Sequence, residues 1–239
     1  MGKRVIDVVV ASALLLVVLP FVGLCAIGVA LSLRAWPFFV QERVGYNGRP
    51  FRLIKLRTLP PSAPRFADKY AISSIEIPWF PRLLRQLHLD ELPQLLLVIP
   101  GWMSLVGPRP EMATLVHLLP PDVRVSRLAF RPGCTGIWQV SRDADKLIGE
   151  APEYDRFYAR HASLRLDLYV LAQTFQVMLT PIRTVTLASV PDWARRGTGE
   201  RTVRPALPFL LDLTTGGRRA PVSVLEITGD SGPLLEAAS

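Results

Sequence analysis

Two adjacent carboxylates, Asp90 and Glu91, stand in the stretch Leu89-Asp90-Glu91-Leu92-Pro93-Gln94, at the expected start of an apolar helix over Leu92 to Ile99. Farther along, Arg109 is locked between two prolines in Gly107-Pro108-Arg109-Pro110. Each proline fixes its own φ and restricts the residue before it, so this arginine loses little entropy on binding. Its planar fork matches phosphate oxygens. An acid that can attack phosphorus or hold a metal, beside a fixed cation, is a combination that phosphate chemistry uses. Taken by itself, an acidic pair at a helix start is explained by the dipole and by capping, with Asp90 or a neighbour as the cap and Pro93 in the first turn. Arg85, just upstream, adds a second cation and tips the reading toward chemistry.

A second set of cations sits on an expected hairpin. Phe38–Val44 and Phe51–Arg57 flank Tyr46-Asn47-Gly48-Arg49, and Asn-Gly suits a type I′ turn because both central residues need positive φ. In the second strand Phe51, Leu53, Lys55 and Arg57 share one face, apolar at its start and doubly basic at its end. Lys55 and Arg57 could together grip a diphosphate; an exposed basic strand end explains the same spacing. Arg131-Pro132-Gly133-Cys134-Thr135-Gly136-Ile137-Trp138-Gln139 is a second special loop. Its two glycines would let a ligand approach the backbone, and Thr135 and Gln139 could bind a base or sugar. His88, His117 and His161 have no metal-ligand partner at usable spacing and read as structural or exposed.

These groups follow a long apolar segment. Val8 to Leu33 carries no charge, and a spanning helix needs about 20 apolar residues. Pro20 divides it into Val8–Leu19 and Phe21–Leu33, each too short to cross alone, and a proline inside a helix kinks or breaks it. Lys3 and Arg4 precede the run and Arg34 follows it, which favours both ends on the cytoplasmic side. A helix that enters the membrane, breaks at Pro20 and returns satisfies both observations, and a simple span is the alternative. A signal peptide would have a shorter apolar core and a small-residue cleavage site. Lys3 and Asp7, at i,i+4 spacing, read as an interfacial ion pair.

The whole composition agrees with a membrane surface. Nearly half of the 239 residues (49%) are hydrophobic, yet the net charge is +8. High hydropathy with high basicity suits an anionic membrane face, where each Lys or Arg adds about 1 kcal/mol of attraction. No basic run interleaved with aromatics, zinc spacing or helix-turn-helix pattern is present, so nucleic acid is not expected as a partner. Cys25 and Cys134 give neither a disulfide framework nor a metal cluster and fit a reducing compartment. Pro60 to Pro81 reads as a loop, and Tyr154 to Leu179 as one helix with Arg156, Arg160 and Arg165 on a basic side. Beyond Pro181 the polar, turn-rich stretch Asp192 to Pro205 and the apolar Pro208 to Leu213 carry no motif. The expected organisation is a membrane helix at 1–36, a catalytic domain at 37–182 and an extension at 183–239.

The complete set of motifs resembles the bacterial sugar transferases, the monotopic phosphoglycosyl transferases that act on polyprenyl phosphates. The likeness runs from Lys3-Arg4-x-x-Asp7 and the apolar helix with Pro20 through Gln41-Glu42-Arg43-Val44-Gly45 and Phe51-x-x-x-Lys55-x-Arg57-Thr58. It is strongest at Leu89–Gln94 and Met103–Pro110, and closes with Pro132-Gly133-x-Thr135-Gly136-x-x-Gln139-Val140, Tyr158, Ser163, Asp167 and Thr174. The resemblance implies a re-entrant helix joined to a small, mostly helical α/β (α+β) domain with a β-hairpin. It implies transfer of a sugar-1-phosphate from a UDP-sugar to undecaprenyl phosphate with release of UMP, opening the synthesis of an exopolysaccharide or surface glycan at the cytoplasmic face of the inner membrane. Asp90 would be the nucleophile, Asp90 and Glu91 would hold Mg2+, and Lys55, Arg57, Arg85 and Arg109 would stabilise phosphate charge. Membrane lipid is a further expected partner, and a homodimer is left open. The chain departs from the family pattern at Leu87 and His88, where Thr and Ser are usual, at Leu19 before Pro20, across Pro60–Pro81 and at Ser141-Arg142. A membrane scaffold that keeps the fold without catalysis is the alternative; retention of Asp90, Glu91 and Arg109 favours the enzyme.

Overall fold

The computed structural model describes residues 2–64, 75–180 and 182–195. The central part of the Pro60–Pro81 loop, residues 65–74, and the extension from 196 onward lie outside the described residues. Among the described residues the architecture is mixed α/β, with helices dominating and two sheets of two strands each.

Helix α1 covers Gly2–Leu33, and its helical backbone continues through Pro20. The expected break at Pro20 is therefore corrected to, at most, a bend within one helix whose assignment runs unbroken from Gly2 to Leu33. The proline removes one hydrogen bond, but buried residues on both sides of it, Ala11 and Leu15 before and Val22, Ala26 and Val29 after, pack along the same body and hold the helical course. At about 1.5 Å per residue the helix is long enough to cross a membrane. The opposite face stays apolar and uncovered, with Leu16 and Val17 80% and 77% exposed.

Both ends of α1 dock on that body. Asp7 is buried, accepting from the Ser104 hydroxyl at 2.7 Å and from the Leu105 amide at 3.4 Å. Lys3 Nζ lies 3.6 Å from Asp7 and 2.7 Å from Asp167, whose other oxygen accepts from Tyr158 at 2.9 Å. Arg4 donates to the carbonyls of Val98 and Ile99 at 2.6 and 2.7 Å. The Lys3–Asp7 pair thus exists, within a network that fastens the helix to the domain. Near the other end, Val29 packs with Leu56 and Leu84, with Leu33, Phe38 and Phe80 around them.

The hairpin forms as its turn chemistry requires. Strands β1 (Phe38–Val44) and β2 (Pro50–Leu56) pair antiparallel, with Phe39 opposite Lys55 and Val44 opposite Pro50. Asn47 and Gly48 take φ of 55° and 75°, and the Arg49 amide donates to the Tyr46 carbonyl. Helix α2 (Trp79–Gln86) begins inside the stretch read as loop. A 3-10 turn over Leu89–Gln94 then leads into the short helix α3 (Leu95–Val98).

Strands β3 (Ser104–Val106) and β4 (Gly133–Thr135) pair in parallel, and all three β3 residues are buried. Around β3 the core gathers Ala11, Val98, Met103, Tyr158, Leu166 and Val170. Between the strands lie α4 (Ala113–His117) and α5 (Pro121–Leu128). The long helix expected after Tyr154 is two, α6 (Glu153–His161) and α7 (Leu164–Leu179). Ser163 caps the second by accepting from the Leu166 amide at 3.2 Å, which supplies a new helix start where a single helix was expected. Of the residues assigned to the extension, 183–195 lie within the described part, and Val185, Val190 and Ala194 join the main core.

Candidate active site

The site assembles at the junction of β2, the 3-10 turn and the Gly107–Pro110 loop. Asp90 and Glu91 occupy the body of the 3-10 turn, so neither is its cap; the cap position is His88, in left-handed conformation and without a side-chain cap bond. Asp90 is 4% exposed. Burial first, then the neighbouring Glu91 charge, pushes its carboxyl up to about 6, while Lys55, Arg85 and Arg109 pull the other way. Burial also acts to raise Glu91, but the charge and hydrogen bond of Arg109, with Lys55 and His88, outweigh it and hold Glu91 below its ordinary value. Two adjacent acids are thus driven apart: Glu91 is held ionised and Asp90 is the more basic.

The cations come from three elements. Arg109 Nη2 lies 3.1 Å from Glu91 Oε1, its Nε is 3.8 Å from Glu111, and its guanidinium sits 5.9 Å from the centre of the Trp138 ring. Burial pushes the Lys55 ammonium down against the pull of Asp90 and Glu91. Arg85 lies 3.4 Å from the hydroxyl of buried Thr58 and acts electrostatically on Asp90. Lys55, Arg85 and Arg109 therefore converge on the acidic pair. Arg57 donates from Nε to the Trp36 carbonyl at 2.9 Å and overlies the Phe39 ring, which Lys55 also overlies. The charges that act most on Asp90 are those of Glu91, Lys55, Arg85 and Arg109, and Arg57 is not among them.

Support for Arg109 extends well behind it. Glu111 bridges to Arg43 at 3.1 Å, and Arg43 in turn donates to Gln41 at 2.7 Å. Arg127, almost wholly buried, pairs with Asp155 at 2.8 Å and donates to the Arg109 carbonyl. These residues carry no local signature that marks them as part of a site; Gln41 and Arg43 stand out only as letters of a longer motif.

The two glycines of the loop around Gly133 do a different job from the one expected. A Cβ on Gly133 would lie 2.1 Å from the Gly107 nitrogen, and one on Gly136 would lie 2.3 Å from the Gly107 oxygen. The two glycines admit the backbone of the Gly-Pro-Arg-Pro loop rather than a ligand, and so set where Arg109 emerges. Thr135 pairs its hydroxyl with that of Thr174 at 2.7 Å. Gln139 is different again: both its amide atoms are buried, and neither has a hydrogen-bond partner among the described residues.

Asp90 and Glu91 suit a divalent cation only in part, since no group of three or more His, Cys, Asp or Glu that could hold a metal occurs among the described residues. Mg2+ characteristically takes one or two carboxylates and completes its shell with waters and substrate phosphates, so an acidic pair beside a phosphate-binding site fits it.

A family model described as bacterial sugar transferase matches residues 1–181. The chain is 33% identical over 190 residues to the exopolysaccharide production protein ExoY of Rhizobium meliloti, covering 73% of this chain and 84% of that protein. It is 34% identical over 187 residues to a UDP-glucose:undecaprenyl-phosphate glucose-1-phosphate transferase of Caulobacter vibrioides, covering 74% and 70%. It is 31% identical over 185 residues to a UDP-N-acetylgalactosamine-undecaprenyl-phosphate N-acetylgalactosaminephosphotransferase of Aeromonas hydrophila, covering 74% of this chain and 44% of the longer protein.

Proposed function

The chain belongs to the bacterial sugar transferase family and is a phosphoglycosyl transferase, and on that premise we propose that it moves a sugar-1-phosphate from a UDP-sugar to undecaprenyl phosphate, releasing UMP, as the opening step of exopolysaccharide synthesis. The observation that carries this reading is the buried, basic Asp90 surrounded by Glu91, Lys55, Arg85 and Arg109.

The chemistry follows from that arrangement in two displacements. An Asp90 carboxylate oxygen attacks the β-phosphorus of the donor, the bond from that phosphorus to the bridging oxygen breaks, and UMP leaves with the electron pair. A phosphate oxygen of the lipid acceptor then attacks the same phosphorus. The Asp90–phosphorus bond breaks, and the carboxylate is restored with the lipid diphosphosugar as product. Splitting one displacement into two lowers each barrier. Arg109, Arg85 and Lys55 sit where negative charge develops on the transferring phosphate. Glu91, held ionised by Arg109, keeps that arginine in place. Asp90 and Glu91 would hold Mg2+, which when bound neutralises diphosphate charge. The unpartnered amide of Gln139 is suited to the uracil or the sugar, with Thr135 beside it in the same loop.

Lipid supply fits the same picture. We assign the exposed face of α1 to membrane lipid, with the helix entering and returning on the cytoplasmic side. Supporting this, Lys3 and Arg4 at one end and the Val29 region at the other dock on one body, and the face between them is apolar and uncovered. Trp36 and Trp79 stand exposed, as aromatic residues do at a membrane–water boundary.

The test is UMP release by membrane-embedded protein across a panel of UDP-sugars, with undecaprenyl phosphate and Mg2+. One sugar is expected to support lipid-dependent release that chelation of the metal abolishes. Absence of release with every sugar would point instead to a fold kept for recruitment.

A further inference from the structure

The family match ends at residue 181, yet a side chain just beyond it reaches back to the acidic turn. Arg183 Nη2 lies 2.8 Å from His88 Nε2. An arginine can only donate, so this ring nitrogen is the acceptor and the other one carries the proton. Arg183 Nη1 stands 3.8 Å from Asp145, and Nε is buried without a partner.

His88 is a sensitive place to hold. Its φ of 56° is left-handed, a conformation that non-glycine residues keep only where their surroundings impose it. Its amide donates to the Arg85 carbonyl at 3.3 Å, and its carbonyl accepts from the Glu91 amide at 3.2 Å. It is the joint between the end of α2, which carries Arg85, and the turn that carries Asp90 and Glu91. A rotation at His88 would swing both acids away from the arginine upstream.

The other end of the contact is equally fixed. Val185 is buried in the main core, bridges to Ser141, and accepts from the Arg142 amide at 3.0 Å. Residues 182–185 are therefore tied to the backbone that follows Gln139.

We propose that Arg183 is a positioning residue: by binding His88 Nε2 it locks the left-handed joint, fixes the Asp90–Glu91 turn relative to Arg85, and couples that turn to the loop carrying Gln139. The segment after α7 is then part of the catalytic unit. This inference rests on the transferase reading for its kinetic consequence but not for its structural one.

The test uses the full chain in lipid nanodiscs, with kinetics on the donor that wild type turns over and amide hydrogen exchange across residues 88–94. Arg183→Ala is expected to lower kcat roughly 10- to 100-fold, since small misplacements of reacting groups cost that much, with the donor KM within about twofold. Exchange in the turn should rise at least about tenfold, reporting more frequent local opening. His88→Gly tolerates the left-handed backbone but removes the acceptor, and should match Arg183→Ala; His88→Asn tolerates that backbone too, supplies an amide oxygen, and should rescue most of the loss. The double variant Arg183→Ala/His88→Gly should be no worse than either single one. A raised KM at unchanged kcat, additive losses in the double variant, or unaltered exchange would overturn the proposal. If Arg183→Ala does not fold, the comparison of His88→Gly with His88→Asn decides it alone. A wild type inactive with every donor would sink the transferase reading, while the exchange data would still judge the Arg183–His88 contact.

Discussion

Asp90→Asn is expected to abolish sugar-phosphate transfer and, in the same protein, to raise stability. The carboxyl is buried, and desolvation followed by the Glu91 charge lifts it from 3.8 to about 6. A folded-state value above the unfolded one means that the native state favours the protonated acid. The stability this gives is fully present below about 4 and is lost as pH rises through about 6. At pH 7.5 the ionised Asp90 therefore costs the fold up to about 3 kcal/mol, a strain of the kind that active sites carry for function. Asparagine has neither the charge nor a nucleophilic oxygen. Thermal unfolding in chelator should show Asp90→Asn more stable by about 1–3 kcal/mol at pH 7.5, with the gain shrinking toward pH 4. Its kcat should fall at least about a thousandfold. A variant that keeps substantial turnover, or one that is destabilised at pH 7.5, would contradict this account of Asp90.

Arg109→Ala is expected to give the second-largest loss. Arg109 meets Glu91 at 3.1 Å and also faces Glu111, so its removal leaves Glu91 unpaired beside Asp90. Glu91, no longer held below its ordinary value, would compete with Asp90 for a proton. The transferring phosphate would also lose a cation held in a rigid loop. A fall in kcat/KM of about 100- to 1,000-fold follows from losing one preorganised donor. Lysine should recover little, because a point charge cannot span two carboxylates and a phosphate as a planar fork can. Near-normal activity of Arg109→Lys would show that the fork geometry is not used.

The parts of this molecule that were legible in the sequence are those whose cause is local. Asn47-Gly48 dictates its own turn, and with it the pairing that places Lys55 opposite Phe39. The two prolines around Arg109 and the acids of the turn announce themselves by residue type, and the structure brings Arg85, Lys55 and Arg109 to Asp90. What escaped depends on contacts between distant segments. Strands β3 and β4 have three residues each, too few to show a period. Gly133 and Gly136 carry the composition of a ligand-binding loop, but their neighbour is the Gly107 backbone. The continuity of α1 through Pro20 is decided by packing on either side, which local propensity does not contain. Glu111, Arg127 and Arg183 are ordinary charges in the sequence, Arg43 is marked there only as part of a longer motif, and only the fold makes the four of them supports of the site.

In the proposed mechanism Asp90 carries the phosphosugar between donor and acceptor. The most direct measurement is rapid mixing of enzyme with the active UDP-sugar and Mg2+ in lipid free of undecaprenyl phosphate, followed by acid quench, quantitation of UMP and peptide mass spectrometry. The expected result is a burst of UMP approaching one equivalent per enzyme, a phosphosugar mass on the peptide containing Asp90, and loss of both in Asp90→Asn. Lipid-dependent turnover in the complete reaction, with neither burst nor adduct when the acceptor is withheld, would mean that the acceptor attacks the donor directly and that Asp90 is not the nucleophile.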